Sequence, residues 1–336
     1  MHQPLACLLL LSTFAPGAAH AAADLGTKAY DAATALQQAG QYTEAEKAAQ
    51  ALVAARTQTF GAENKETLRA RLLLAETVFL LPKEAEAESQ LRKLLPVVTK
   101  ALGAEDRETL RCKSDLISII GAQGKHAEAA EQYRRLILVA TRVLGAEDTI
   151  TLKTRRRLAG AWWDQQKVEE AEAEYRQVLA LYARVLGPEH YDTLRCQSDL
   201  TAILEDEGKY DEAEKQCQSL IAIENRALGA ANAQTLRTRM LLARTWFDLG
   251  KHEEGEQEFR QVLAICERMF GTEHPDSLTA CYNLAVCLET QGKIPEALTY
   301  ARRTLAARVK IYGKDHRKSK SAQLMVNDLI KKNATA

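Results

Sequence analysis

The amino-acid sequence predicts an all-α fold, a solenoid of seven 42-residue helix-turn-helix units with a C-terminal capping helix. Three features that repeat in one register predict it: a glycine, a polar capping residue, and two apolar residues four positions apart. A period of about 20–50 residues is typical of units that bury their apolar faces only by stacking on neighbours. The repeating glycines are Gly61, Gly103, Gly145, Gly187, Gly229, Gly271 and Gly313.

The glycine of each unit follows a large apolar residue, so we expect it to end the second helix in a left-handed conformation. A polar residue three positions later, and a Thr or Ser three beyond that, are expected to cap the next helix. The polar residues are Asn64, Asp106, Asp148, His190, Asn232 and His274, and the hydroxyl residues are Thr67, Thr109, Thr151, Thr193, Thr235 and Ser277.

Two apolar columns mark the buried face of the first helix in each unit. They lie four residues apart, which is the spacing of one helical face. The leading column is Leu74, Leu116, Leu158, Leu200, Leu242 and Leu284, and the second is Val78, Ile120, Trp162, Leu204, Trp246 and Leu288. A small residue recurs in the second helix and predicts close approach of two helices, at Ala45, Ala87, Ala129, Ala171, Ala213, Gly255 and Ala297.

The two ends of the array are predicted to differ from its middle. Residues 24–40 and 42–59 are predicted to be the helices of a first unit that caps the N-terminal end. The repeats continue without a linker over residues 24–315, so we predict one domain. Lys320 takes a leucine position, and residues 316–336 are predicted to form a capping helix and a basic tail.

Residues 1–23 contain no Lys, Arg, Asp or Glu, and their apolar run ends near Ala19-His20-Ala21, a small-x-small cleavage pattern. This segment is either a signal peptide of an exported, periplasmic or envelope-associated protein, or an uncleaved membrane-associating segment on the cytoplasmic face. The cysteines, in contrast, argue against export to an oxidising compartment. Cys112 and Cys196 share one phase two units apart, too far for a disulfide, and buried reduced cysteines fit a reducing compartment.

The composition and motifs argue against several classes of function. The formal net charge is zero, whereas a nucleic-acid binder is expected to carry a basic excess. The sequence contains no HExxH, no Cys pair with metal-ligand spacing, no Gly-rich phosphate loop and no nucleophile motif. We therefore expect a non-catalytic protein without a metal, a cofactor or a small-molecule substrate.

The seventh unit, HPDSLTACYNLAVCLETQGKIPEAL over residues 274–298, resembles the tetratricopeptide repeat of the kinesin light chain family. Weaker copies of the same pattern cover residues from about 25 to 312. The resemblance implies a right-handed superhelical solenoid and a bacterial scaffold or adaptor. Its concave face, lined by the first helix of each unit, would hold a peptide or protein partner.

A basic residue follows the motif leucine near the start of the first helix in five units. A cation there opposes the helix dipole, so the column needs another explanation. One reading is a ladder that binds an acidic peptide or tail. The other is pairing with acids three residues earlier, such as Glu66, Glu108 and Asp192. The column is Arg69, Arg111, Lys153, Arg195 and Arg237.

A second column, one residue past the core position, holds Phe79, Trp163 and Phe247. These aromatic side chains are candidate anchors for a partner, or they add to the packing between helices. The resemblance adds a third position, an Asn that contacts the cargo backbone in kinesin light chains. Asn283 keeps that Asn, and the equivalents are Leu73, Asp115, Arg157, Asp199 and Leu241, so a different ligand chemistry is expected in most of the groove.

The sequence thus predicts a scaffold or adaptor that binds a peptide or protein, exported or attached to the cell envelope. The alternative implied by the resemblance is a membrane tether for a bacterial tubulin-like filament, held through residues 1–23. Tubulins are acidic, so the basic column would suit that partner as well.

Overall fold

The computed structural model describes the backbone of residues 16–335 and the side chains of residues 26–334. Residues 1–15, most of the predicted leader, lie outside the described residues. The described chain is entirely helical between its turns. Its helices are α1 (Pro16–Gln38), α2 (Tyr42–Phe60), α3 (Lys65–Leu80), α4 (Glu84–Leu102), α5 (Arg107–Ala122), α6 (His126–Leu144), α7 (Thr149–Trp163), α8 (Val168–Leu186), α9 (Tyr191–Asp206), α10 (Tyr210–Ala227), α11 (Ala233–Asp248), α12 (His252–Phe270), α13 (Pro275–Thr290), α14 (Ile294–Tyr312) and α15 (Arg317–Thr335).

The predicted all-α repeat fold is confirmed. Consecutive helices pair into seven hairpins, which we call units 1 to 7, from α1–α2 to α13–α14, and α15 packs on α14. The first helix starts at Pro16 instead of residue 24. The alanines between residues 18 and 23 favour helix, so the helical segment extends into the sequence that was assigned to the leader.

The polar residues after each glycine are N-caps, as predicted. The side chain of Asn64 accepts a hydrogen bond from the Glu66 backbone N–H at 2.9 Å, and its equivalents in the later units do the same. The hydroxyl residues act differently from the prediction. Thr67 Oγ1 donates to the Gly61 carbonyl at 2.8 Å, so it closes the inter-unit loop instead of capping the helix.

Stacking between units forms the core. One cluster joins Leu152 of unit 4 with Cys196, Leu200 and Ile203 of unit 5, all buried. The recurrent small alanines, such as Ala171 and Ala213, are fully buried. At Gly255 the packing is tighter still, because a Cβ there would lie 2.8 Å from the Ala243 carbonyl oxygen. The six cysteines of the described residues are buried and free, as expected for cysteines that pack as small apolar side chains. They are Cys112, Cys196, Cys217, Cys266, Cys281 and Cys287.

None of the described helices is long and apolar enough to cross a membrane.

The superhelix returns on itself. The turn between α1 and α2 contacts the first residues of units 6 and 7, and we call this contact the ring junction. A backbone hydrogen bond of 3.3 Å runs from the Ala233 N–H to the Ala39 carbonyl. Farther along, His316 Nε2 lies 3.8 Å from a carboxylate oxygen of Glu84. The remaining ring-junction residues are Gly40, Tyr42, Arg237, Phe270 and His274.

Candidate functional site: a basic central cavity

The closed superhelix surrounds a central cavity of about 450 Å³. Its walls come from the first helices of units 1 to 6, the concave face that the repeat fold predicts, together with Tyr42 at the start of α2. The lining is rich in cations, although the whole chain has no net charge. Eight basic side chains face three acidic ones, Glu76, Glu108 and Asp192. The basic residues are Arg69, Arg107, Arg111, Lys153, Arg156, Arg157, Arg195 and Arg237.

All five members of the basic column predicted from the sequence line this one cavity. They lie at the same position on five successive first helices, α3, α5, α7, α9 and α11. The periodicity therefore located the column correctly on one surface. Whether the column binds a partner stays a prediction, and the ion pairs inside the cavity decide which of its members are available.

Glu76 on α3 holds cations from two later units. Its carboxylate pairs with Arg111 at 2.8 Å and with Lys153, and Arg157 lies 3.8 Å away. Burial alone would raise the pKa of the Glu76 carboxyl, but Lys153, Arg111 and Arg157 together hold it well below its usual range. Burial and the two neighbouring arginines lower the pKa of Lys153, against the opposing effect of Glu76. This carboxylate therefore neutralises the middle of the column.

The pairing alternative is correct for part of the column. Arg69 lies 3.2 Å from Glu66 and 3.3 Å from Glu108, and Arg111 lies 3.8 Å from Glu108. Asp115, a member of the third column, pairs with Arg157 at 2.7 Å. Local acids thus hold the N-terminal part of the cavity lining in fixed positions.

Arg237 is bound at the ring junction. Its guanidinium donates to both carboxylate oxygens of Asp276, at 2.8 and 3.0 Å, and to the hydroxyl of Tyr42 at 2.7 Å. Burial works against the charge of Arg237, but Asp276, Tyr42 and Tyr191 raise its pKa well above the usual value. A bidentate, partly buried pair of this kind is strong and fixes the geometry of both partners.

Arg195 differs from the other four members of the column. It lines the cavity between Lys153 and Arg237, and it makes no hydrogen bond or ion pair with any other residue that the structure describes. Asp192, three residues earlier, was a candidate partner from the sequence, but it does not pair with Arg195. Counting only the described part of the chain as possible partners, Arg195 keeps free donor groups, whereas the other arginines of the lining are already paired.

The aromatic candidates separate into two groups. Phe79 lines the cavity. Trp163 packs partly on the core between units 4 and 5, and its indole N–H donates to Asp206 at 2.6 Å. Phe247 packs against the His252 ring, with centroids 4.5 Å apart. Asn283 lies on α13, outside the cavity lining. A role of these four residues in partner binding stays a prediction.

Sequence reasoning missed several lining residues. Arg156 and Arg157 belong to a run of three arginines in unit 4, a local signal that could have drawn attention. Tyr30 carries no such signal, and its hydroxyl accepts a hydrogen bond from Arg111 at 2.8 Å, 81 residues away. Glu76 likewise meets Lys153 across 77 residues. These contacts depend on the pitch of the superhelix.

A helical-repeat solenoid with a concave inner face is a fold used by protein-interaction scaffolds. Sequence models described as tetratricopeptide repeat match residues 30–102, 153–223 and 234–310, about two thirds of the chain. The chain belongs to the tetratricopeptide repeat family. No curated protein matches the sequence.

Three solved structures illustrate what the chain is similar to. A putative kinesin light chain repeat protein of Podosopora anserina is 26% identical, with 60% of this chain and 95% of that chain covered, and a TM-score of 0.46. BtubC (BKLC) from P. vanneervenii is 16% identical over 73% and 92%, with a TM-score of 0.49. A Rap protein complexed with Competence and Sporulation Factor is 14% identical over 93% and 86%, with a TM-score of 0.67.

Proposed function

We propose that this protein is a non-catalytic scaffold that holds an acidic peptide segment of a partner in its central cavity. The observation that carries the proposal is Arg195, a guanidinium without a partner among the described residues, in a cavity lining of eight basic and three acidic side chains. An arginine binds a carboxylate through two parallel hydrogen bonds, and Arg195 is half-buried in the cavity wall. Such an arginine is a typical anchor of an interface.

The other cations support this assignment in a different way. They pair with carboxylates, so they shape the cavity without needing a ligand; these acids are Glu76, Glu108, Asp115, Asp148, Asp199 and Asp276. A ligand carboxylate would bind at Arg195, the member of the basic column that no described acid neutralises. A Rap protein with a similar overall fold is complexed with Competence and Sporulation Factor, which agrees with ligand binding by this kind of solenoid.

Arg195→Ala is expected to weaken binding of acidic peptides at least about tenfold, because one buried charge-assisted contact is worth more than about 1.4 kcal/mol. Stability should stay unchanged, since no described residue pairs with Arg195. The measurement is fluorescence anisotropy with a panel of labelled Glu- and Asp-rich peptides of six to ten residues.

The matched control is Arg134→Ala, which removes an exposed arginine from α6, outside the cavity. It should leave the affinity as in the wild type, and neutral peptides of the same length should not bind. Equal affinities of the Arg195→Ala variant and the wild type would reject Arg195 as the anchor. Failure of the wild type to bind any acidic peptide of the panel would reject the function.

We propose further that the protein is exported or associated with the cell envelope, on the basis of the uncharged, apolar residues 1–23. The intact mass of protein recovered from its own cells is expected to lack residues up to about Ala21. An uncleaved chain found in the membrane fraction would contradict export. That outcome would favour the alternative, a membrane tether for a bacterial tubulin-like filament.

A further inference from the structure

The ring junction consists of one turn of unit 1 and three sites on units 6 and 7. The Ala39 carbonyl accepts the Ala233 N–H at 3.3 Å, and the Tyr42 hydroxyl accepts from Arg237 at 2.7 Å. The Tyr42 ring stacks on His274, with centroids 4.9 Å apart. The hydrogen bond between Tyr42 and Arg237 joins residues 195 positions apart in sequence, and the Tyr42–His274 stack spans a longer stretch of the chain still.

The junction is much smaller than the interfaces between neighbouring units. Each of those interfaces buries a continuous set of apolar side chains, as Leu152, Tyr182, Cys196 and Ile203 do between units 4 and 5. Among the described residues, the ring junction holds only a few polar and ring contacts: Ala39 with Ala233, Tyr42 with Arg237, the Gly40 backbone with His274, and the Tyr42–His274 stack. Each such contact contributes less net stability in water than a buried apolar interface. In a solenoid every unit depends mainly on its neighbours. The junction can therefore open while all units stay folded.

Opening of the ring junction would remove part of the cavity wall. Tyr42 and Arg237 belong to the junction and also line the cavity, one unit away from Arg195 in the basic column. Unit 1 further contributes Tyr30, Thr34, Gln37 and Gln38 to the wall. Detachment of this unit would remove one side of the wall and expose the column to solvent. A peptide with chain continuing on either side needs such an opening to reach Arg195.

We propose that the ring junction is a gate of the central cavity: the turn between α1 and α2 detaches from α11 and α13 to admit an acidic peptide and then closes on it. This inference rests on the proposed function, because it assigns a route to that binding site. In the closed state the gate lowers the fraction of molecules that can bind, so the association rate is limited by opening.

The chain offers a matched pair of substitutions to test the gate. Gly40 and Gly124 hold the same place in the turns of units 1 and 3, with φ of +86° and +87°. A Cβ on Gly40 would lie 2.5 Å from the Ala233 Cβ and 3.2 Å from the Phe270 ring, whereas a Cβ on Gly124 meets nothing within 4 Å. Asn is the residue best tolerated in this conformation after Gly, so the backbone strain is similar at both positions. Neither glycine lines the cavity.

Gly40→Asn is expected to raise the association rate constant of an acidic peptide about fivefold or more, and to increase the radius of gyration in small-angle X-ray scattering. Gly124→Asn should change neither quantity. Ala233→Leu, which adds bulk from the opposite side of the junction, should reproduce Gly40→Asn. Circular dichroism of all three variants should show wild-type helix content, since the units remain folded.

An unchanged radius of gyration in both Gly40→Asn and Ala233→Leu would overturn the gate, because the junction would then be rigid. An expanded ring that binds the peptide at the wild-type rate would overturn it as well, since opening would not limit access. Failure of the proposed function gives a different pattern. No acidic peptide would then bind to the wild type or to any variant, and both the proposed function and the proposed gate would be rejected.

Discussion

Glu76→Gln is expected to destabilise the protein by about 3–5 kcal/mol at neutral pH, because it removes the partner of a buried cluster of cations. Arg111, Lys153 and Arg157 all converge on this carboxylate, with side chains that are 12%, 26% and 14% exposed. A neutral amide of the same shape leaves them close together without a counter-charge. Urea unfolding, followed by circular dichroism, measures the loss.

The pH dependence of this loss has a defined sign. The pKa of Glu76 is lower in the folded than in the unfolded protein, so its stabilisation is complete above about pH 4.5, the unfolded value, and disappears as the pH falls further. The wild type and Glu76→Gln should therefore become equally stable in acid. Lys153→Met in the Glu76→Gln background should recover part of the loss, since one unpaired charge is removed.

The control for this experiment is Glu86→Gln on the exposed face of α4, where the carboxylate accepts a hydrogen bond from Gln90 on the same helix. We expect its effect to stay within about 0.5 kcal/mol. A Glu76→Gln effect as small as that of the control would contradict the assigned electrostatic role. The three cations would then be stabilised by solvent or by the other acids of the cavity.

Glu224→Gln is expected to act in the opposite direction and to stabilise the protein by about 3 kcal/mol at pH 8. Glu224 on α10 is completely buried. Burial raises its pKa to about 7, although hydrogen bonds from Thr238 and Gln234 favour the charged form. Between pH 4.5 and about 7 the folded protein retains a proton that the unfolded chain releases. Stability therefore falls as the pH rises through this window.

The amide of Glu224→Gln carries no charge at any pH, so the variant should not show that fall. Thermal unfolding at a series of pH values from 4.5 to 8 measures the difference, which should be close to zero at pH 4.5 and largest at pH 8. Glu212→Gln on the exposed face of the same helix serves as control. A wild type and a Glu224→Gln variant with parallel pH profiles would show that this carboxyl does not titrate in the window.

The local features of the fold were predictable because each of them depends on contacts within one unit. The glycine position, the caps such as Asn64 and the close approach at Gly255 all follow from residues fewer than about 45 positions apart. The hydroxyl of Thr67 was assigned to the wrong partner, although it acts in the same loop. Periodicity also placed Arg69 and Arg237 on one surface, since a repeat fixes which face a column shares.

Whether each cation of the cavity has an ion-pair partner was not predictable, because the pairing depends on how far the superhelix rotates per unit. Glu76 reaches Lys153 only after two further units have turned toward it, and Tyr42 reaches Arg237 only after five. The sequence fixes no such angle at the level of a single repeat. It therefore could not separate Arg195, which has no described partner, from four neighbours that have one.

The ring junction also limits how such a chain can evolve in length. Open solenoids gain or lose whole repeats by duplication and deletion, since an extra unit only lengthens the stack. In this chain unit 1 contacts units 6 and 7, and Glu84 of unit 2 contacts the loop after unit 7. A 42-residue insertion between them would move the Tyr42 turn past Arg237 and His274 by a full unit. The number of repeats is thus constrained by geometry, as the number of strands is in a closed β-barrel.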